Sequence, residues 1–224
     1  MKHCNRKSLT NPLLLAAALF LAAGTLAGCN IAGPALYLLH GPEKIPRVYQ
    51  LDKDRPTVIF IDDRAMKIQR TPTRERIAAA AERALLDHGA VARVIDSRAA
   101  AAVVTNEPRG KLMAISEIGR KVGAEVVIYV TPDSFALSTD GQTFAPSARF
   151  RVKILDAVAD KRVWPEEREG HVLTVSASTR QGTTPSDAAG VREAEDRFAD
   201  LVGLRLAQMF YAREADTVSD ERDR

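Results

Sequence analysis

The sequence predicts an α/β domain, a mixed sheet with helices packed on it in two or three layers, in the order β-α-β-α-β-β-β-α. Three observations carry the prediction. Short apolar, β-branched runs at 57–61 and 125–130 read as strands buried on both faces. Segments of helical period lie between them, so the first half reads as parallel strands joined by right-handed crossovers. Beyond residue 130 the pattern changes to apolar/polar alternation, the mark of an antiparallel strand with one face in water.

The elements follow in order. Thr57-Val58-Ile59-Phe60-Ile61 is the first strand and ends in Asp62-Asp63. A helix runs from Thr73, a candidate N-cap, to His88, with Ile77, Ala80, Ala81, Ala84 and Leu85 at helical spacing and Gly89 to stop it. Val91–Ile95 is a second strand, and Ser97–Val104 a short Ala-rich helix. Lys111–Val122 reads as a helix with Leu112, Ile115, Ile118 and Val122 on one face, closed by Gly123. Glu125–Val130 is the third buried strand, extended to Leu137.

A turn at Thr139-Asp140-Gly141 leads to Ala148–Ala157, where Phe150, Val152 and Ile154 alternate with Arg149, Arg151, Lys153 and Leu155. Ala159-Asp160-Lys161 is a tight turn. Arg162-Val163-Trp164 starts the return strand, and His171–Ser178 continues it. Gly182–Ser186 is a polar loop. The last helix spans about Ser186–Ala212, with Val191, Ala194, Phe198, Leu201, Val202, Leu206, Met209 and Phe210 in one stripe. No repeat of fixed period is present.

Upstream of the domain the chain carries an export signal. Lys2, His3, Arg6 and Lys7 form a positive region, and Pro12–Ala23 is an apolar stretch too short for a membrane span of about 20 residues. Leu26-Ala27-Gly28-Cys29 follows, and is similar to the lipobox of bacterial lipoproteins. Small residues before the cysteine let a signal peptidase approach the backbone, and the thiol accepts diacylglycerol as a thioether. The expected organisation is a signal peptide at 1–28, a lipidated tether and lead-in at 29–56, a single domain at 57–212 and a charged, disordered tail at 213–224. Several acyl chains, each CH₂ contributing about 0.8 kcal/mol, would hold the mature protein on a cell or outer membrane, its domain facing the periplasm or exterior. If the host has two membranes, the sorting rule that the resemblance implies favours the outer one, because Asn30 rather than Asp follows the cysteine.

Charge and cysteine content narrow the function classes. Of 32 basic residues, Lys2, Arg6 and Lys7 leave with the signal; the remaining 29 equal the 29 acidic residues. A neutral mature chain gives no reason to expect a nucleic-acid partner. Cys4 leaves with the signal and Cys29 is acylated, so no thiol remains for a disulfide, a zinc site or nucleophilic catalysis.

Two runs carry a family resemblance. Residues 115–130, a helix followed by Gly123-Ala124 and a strand, and residues 150–164, a strand, Asp156, a turn, Lys161 and Val163-Trp164, resemble a group of periplasmic assembly lipoproteins. The group comprises the curli-secretion lipoprotein, the lipoprotein activators of penicillin-binding proteins and the amino-terminal domain of TolB. The resemblance spans about 57–212 and implies a fold and a compartment, not an active site. Asp160 stands where the group's turn carries Gly.

No catalytic constellation is read from the sequence. Asp62-Asp63 sits at a strand end where α/β proteins bind ligands, and an acidic pair there can hold Mg²⁺, as in response-regulator receivers. A receiver also needs a phosphoacceptor Asp ending the third strand; here Thr131-Pro132 intervenes before Asp133. The bland reading is a solvated strand end. His40, His88 and His171 pair with no second ligand at helical spacing. No Gly-x-Ser-x-Gly elbow or Walker loop occurs, and no cofactor is expected. Trp164 is a candidate partner contact, with a core or hairpin-edge role as the alternative. The arginines at 149, 151, 162 and 168 read as a solvated sheet face or as a site for an anionic polymer.

The expectation is a non-enzymatic envelope lipoprotein whose domain binds another envelope protein, its partners being membrane lipid through Cys29 and that protein or a second copy of the chain. The alternatives are a homo-oligomeric secretion or channel component resembling the curli-secretion lipoprotein, with 133–182 as its candidate inserting region, and a metal or ligand sensor built on Asp62 and Asp63.

Overall fold

The computed structural model describes residues 44–107, 112–138, 143–177, 185 and 187–214. The signal region and lipobox, including Cys29, the turn at 139–141, the loop at 182–186 except residue 185 and the end of the tail lie outside these residues. The chain divides into two compact units, 1–45 with 214–224, and 46–213. The elements are β1 (Lys44–Ile45), β2 (Thr57–Ile61), α1 (Thr71–Asp87), β3 (Val94–Ile95), α2 (Ser97–Thr105), α3 (Ile115–Lys121), β4 (Val126–Ala136), β5 (Ser147–Asp156), β6 (Lys161–Trp164), β7 (His171–Ser176), α4 (Ala188–Gln208) and β8 (Arg213–Glu214).

Unit 46–213 is the α/β domain. Its sheet runs β3-β2-β4-β5-β6, with β7 also paired to β5. β2 is parallel to β3 and β4, and β4–β5 and both partners of β5 are antiparallel. β6 and β7 lie end to end along one edge of β5. β7 takes Ser147–Val152 and β6 takes Ile154–Asp156, so they form one return strand interrupted by the loop at 165–170, as the sequence pattern predicts.

Strand alternation sorts the core into two clusters. Ile59, Ile128, Val130, Phe150, Val152 and Ile154 face α1 and α4, meeting Ile77, Leu85, Phe198 and Leu206. Val58, Phe60 and Val127 face the other way and meet Ala100 of α2 and Ile118 of α3. The architecture is therefore three-layered, within the predicted class. α1 and α4 form the tighter seam. A Cβ on Gly203 would meet the Ile77 carbonyl and lie 2.7 Å from Ala80 Cβ, so only glycine permits this helix spacing.

Several boundaries differ from expectation, each for a local reason. α1 begins at Thr71 with Arg70 as N-cap and Pro72 in its first turn, where a missing N–H costs nothing. Thr73 lies inside the helix and its hydroxyl donates to Glu195 of α4 at 2.5 Å instead of capping. β3 is only two residues long, though Val91 is buried beside it. α2 does start at Ser97 as expected, capped by Asp96, whose carboxylate accepts from Arg98 N at 2.9 Å. Asp187 caps α4 through Gly190 N at 2.7 Å. The lead-in from Pro46 packs as part of this unit: Leu51 is buried, and the N–H groups of Val48 and Tyr49 donate to the Met209 carbonyl.

The β5–β6 turn explains its own departure from glycine. Asp160 has φ of +51°, a region that Asp tolerates better than most residues. Its carboxylate accepts a short hydrogen bond from the buried hydroxyl of Ser116 in α3, which ties the turn to the helix layer.

Candidate functional site

The C-terminal end of β2 opens into a cleft of about 230 Å³ between α1 and α2. Phe60, Ala78, Ala101 and Val104 supply apolar wall, and Asp62, Asp63, Arg64, Arg74, Glu75 and Arg98 supply charge. The location is the one that open α/β sheets use for ligands. Strand β2 delivers the two carboxylates because Asp62 N still donates to the Val130 carbonyl at 2.8 Å, after which the chain leaves the sheet.

The structure places Asp62 and Asp63 in separate networks. Asp63 is 5% exposed. It accepts from the N–H groups of Lys67 at 2.7 Å and Ile68 at 2.9 Å, and so closes the turn that holds Met66 at φ +53°. Arg74 of α1 approaches it at 3.6 Å and supplies the opposite charge that a buried carboxylate needs. Asp62 accepts from Arg64 at 2.7 Å and from the Tyr129 hydroxyl of β4 at 2.8 Å. Burial, and then the bond to Asp62, push the Tyr129 phenol well above its ordinary range, so it stays a neutral donor. Arg64 continues the chain to both oxygens of Glu107 at 3.1 Å.

A divalent cation at this strand end would have to displace Arg64 from Asp62 and two backbone N–H groups from Asp63. Among the described residues no group of three His, Cys, Asp or Glu is placed to hold a metal ion, and no helix is long and apolar enough to cross a membrane.

Trp164 lies half-buried at the end of β6, opposite Ile154 and against the larger core cluster. Its ring centroid is 5.5 Å from Tyr49 of the lead-in and 4.9 Å from His171 of β7. Burial lowers the His171 pKa, opposed by Glu167. The single tryptophan is thus one member of an aromatic cluster that joins lead-in, hairpin and return strand. His88 caps α1 and stacks on Tyr211, with centroids 4.0 Å apart.

Two polar networks escaped the sequence reading. Arg55 grips Asp156 through two nitrogens at 2.9 and 3.0 Å and Glu125 at 3.0 Å, fastening β5 to the chain entering β2 and β4. Those hydrogen bonds hold the Asp156 carboxyl far below its usual range. The Tyr129–Asp62–Arg64–Glu107 chain is the other. Its partners are 43 and 67 residues apart in sequence, so no local spacing signals them.

Fold and cleft together define a three-layer α/β domain with an internally compensated polar strand end. Compared with known protein families and with curated proteins, the sequence matches none. Among solved structures, the chain is similar to the PelC dodecamer from Paraburkholderia phytofirmans, with 10% identity, TM-score 0.42, and coverage of 75% of this chain and 97% of that one. It is similar to protein XCC0632 from Xanthomonas campestris at 14% identity and TM-score 0.43, covering 75% and 91%. A third is lipoprotein GNA1162 from Neisseria meningitidis, at 11% identity and TM-score 0.35, covering 65% and 96%.

Proposed function

We propose that this chain is a lipid-anchored envelope lipoprotein whose α/β domain acts as a non-enzymatic protein-interaction or assembly module. The observation that carries the reading is Leu26-Ala27-Gly28-Cys29 placed directly after a positive region and a short apolar stretch. The site chemistry supports it: both strand-end carboxylates already serve backbone, arginine and tyrosine donors, which suits a rigid scaffold. Mass spectrometry of the mature protein from its native cell is expected to find Cys29 as an acylated amino terminus. Cross-linking in intact envelopes is expected to recover a stoichiometric protein partner. An unacylated, uncleaved terminus sinks the anchor. An acylated protein that stays monomeric and uncross-linked at high concentration sinks the assembly role, and a detergent-stable ring of identical subunits replaces it with the secretion-component reading.

A further inference from the structure

We propose that the open face of the sheet carries a binding site for a phosphate group, formed by Lys153, Arg151 and Arg162 and covered by the Glu169 carboxylate. α2 and α3 cover this face over β2 and β4 and reach β5 only at its end, where Leu155 packs against their cluster; Arg151 and Lys153, further along β5, stay partly exposed. Register places the three cations on it together. Arg151 and Lys153 are two apart on β5, and Arg162 of β6 is opposite Leu155, the next residue on the same face. Lys153 also faces Tyr129 of β4.

Each cation is held by the fold rather than loose in solvent. Arg162 donates to the carbonyls of Glu166, Glu167 and Arg168 at 3.0 to 3.1 Å. These acceptors are uncharged, so the guanidinium is oriented without being neutralised. Arg151 bridges Asp133 at 3.0 Å and Glu169 at 2.6 Å. The Lys153 stem lies under Gly170, where a Cβ would come within 3.1 Å of Lys153 Cγ and Cε. Gly170 has φ of +96°, so a side chain there would be strained as well as tightly packed.

The three groups are short of negative charge. The Lys153 ammonium makes no hydrogen bond or ion pair among the described residues. Its pKa is pushed down by burial, then by Arg162 and Arg151, with Glu169 opposing. Positive charge has been brought together without an acceptor for its half-buried member, the pattern an incoming anion relieves. Two carboxylates, Asp133 and Glu169, stand against the three cations, and both pair with Arg151 and not with Lys153. A phosphate has enough oxygens for the Arg151 nitrogen that Glu169 releases, for the ammonium and for the positive charge of Arg162. Glu169, 80% exposed on its loop, is the group that swings away.

The phosphate could belong to a phospholipid headgroup or be free in solution, and one experiment separates the two. The full-length acylated protein, with isotope-labelled lysines, is placed in phosphatidylcholine nanodiscs, and the Lys153 side-chain resonances are assigned by their loss in Lys153→Gln. Inorganic phosphate is then titrated in. A second set of discs has phosphatidylglycerol as one lipid in three. Binding is expected to move the Lys153 resonances and raise its pKa towards the ordinary 10.5. Glu169→Gln is expected to tighten phosphate about fivefold, the effect of removing one exposed competing charge. Arg76→Gln, which removes an α1–α4 ion pair instead, should change nothing. A response to inorganic phosphate assigns the site to a soluble ligand, and a response to phosphatidylglycerol alone assigns it to the membrane. No response to either overturns the proposal, as does a Glu169→Gln protein that binds no tighter.

Discussion

The two halves of the sheet are built on different plans. β2 and the first half of β4 are buried on both faces, and nearly every residue in them is apolar. β5 is buried on one face only: Phe150, Val152 and Ile154 go inward, and Arg149, Arg151 and Lys153 go outward. Polar groups in the two halves differ accordingly. At the end of β2 they are enclosed, so each finds a partner: Asp63 has two backbone donors and Asp62 an arginine and a tyrosine. On the outer half they are half-solvated, and Lys153 has no hydrogen bond or ion pair among the described residues. Enclosure forces compensation because an unpaired buried charge is costly; partial solvation does not.

The largest effects test the enclosed side. Phe150→Ala removes a ring that is 1% exposed at the centre of the α1/α4-facing cluster. It should lower the free energy of unfolding by about 3–5 kcal/mol, since the cavity cannot collapse under two helices. Denaturant melting measures it. A loss under 1 kcal/mol, beyond which burial here means little, would show that the outer half does not share the core. Next comes Asp63→Ala, which strands the N–H groups of Lys67 and Ile68 and leaves Arg74 without its carboxylate. A loss of about 2–3 kcal/mol is expected. Hydrogen exchange at residues 67 and 68 should accelerate with it. An unchanged exchange rate would mean that the turn is held by something else.

How far the sequence revealed this architecture follows from the same contrast. The buried strands were legible because continuous β-branched runs have few other uses, and β5 because alternation is itself the record of one wet face. The β6–β7 return was legible as two pieces. The start of α2 at Ser97 was legible and that of α1 was not: Thr73 has the composition of a cap, but its hydroxyl is used by Glu195 across the α1–α4 seam, a contact 122 residues distant. Asp62 and Asp63 could be placed at a strand end from sequence, while their donors could not. Tyr129 and Arg64 meet Asp62 only after β2 and β4 pair. Lys153 read as one of several surface cations, because its isolation depends on what Arg151 and Arg162 hold instead.

A smaller effect tests the seam between halves through pH. The hydrogen bonds from Arg55 depress the folded-state pKa of Asp156, aided by the backbone N–H groups of Ala159 and Val158. A depressed carboxylate contributes stability above its unfolded pKa of about 3.9, and that contribution is lost as pH falls through the lower folded value. Thermal melts from neutral pH into acid should therefore show a steep decline below pH about 4. Arg55→Met should flatten that acid limb as well as lowering stability at neutral pH. Parallel curves for the two proteins would remove Asp156 from the acid transition.

The smallest expected change is spectroscopic and reports on the edge where lead-in, hairpin and return strand meet. Burial lowers the His171 pKa in the folded state, against the pull of Glu167. The sign is the same as for Asp156, for the opposite chemical reason: here the neutral form is favoured by the fold. Stability from the neutral imidazole is present above the unfolded value of about 6.5 and is lost as pH falls through it towards the folded pKa. Trp164, the single tryptophan, lies 4.9 Å from this ring, close enough that forming the imidazolium should quench it. Fluorescence should fall along one titration centred below 6.5, and His171→Gln should abolish it. A midpoint above 6.5 would mean that an acid, Glu167 first among them, outweighs burial at this edge. That result would make the rim of the sheet compensated like its enclosed half, and the contrast between the halves would then be confined to the face that carries Lys153.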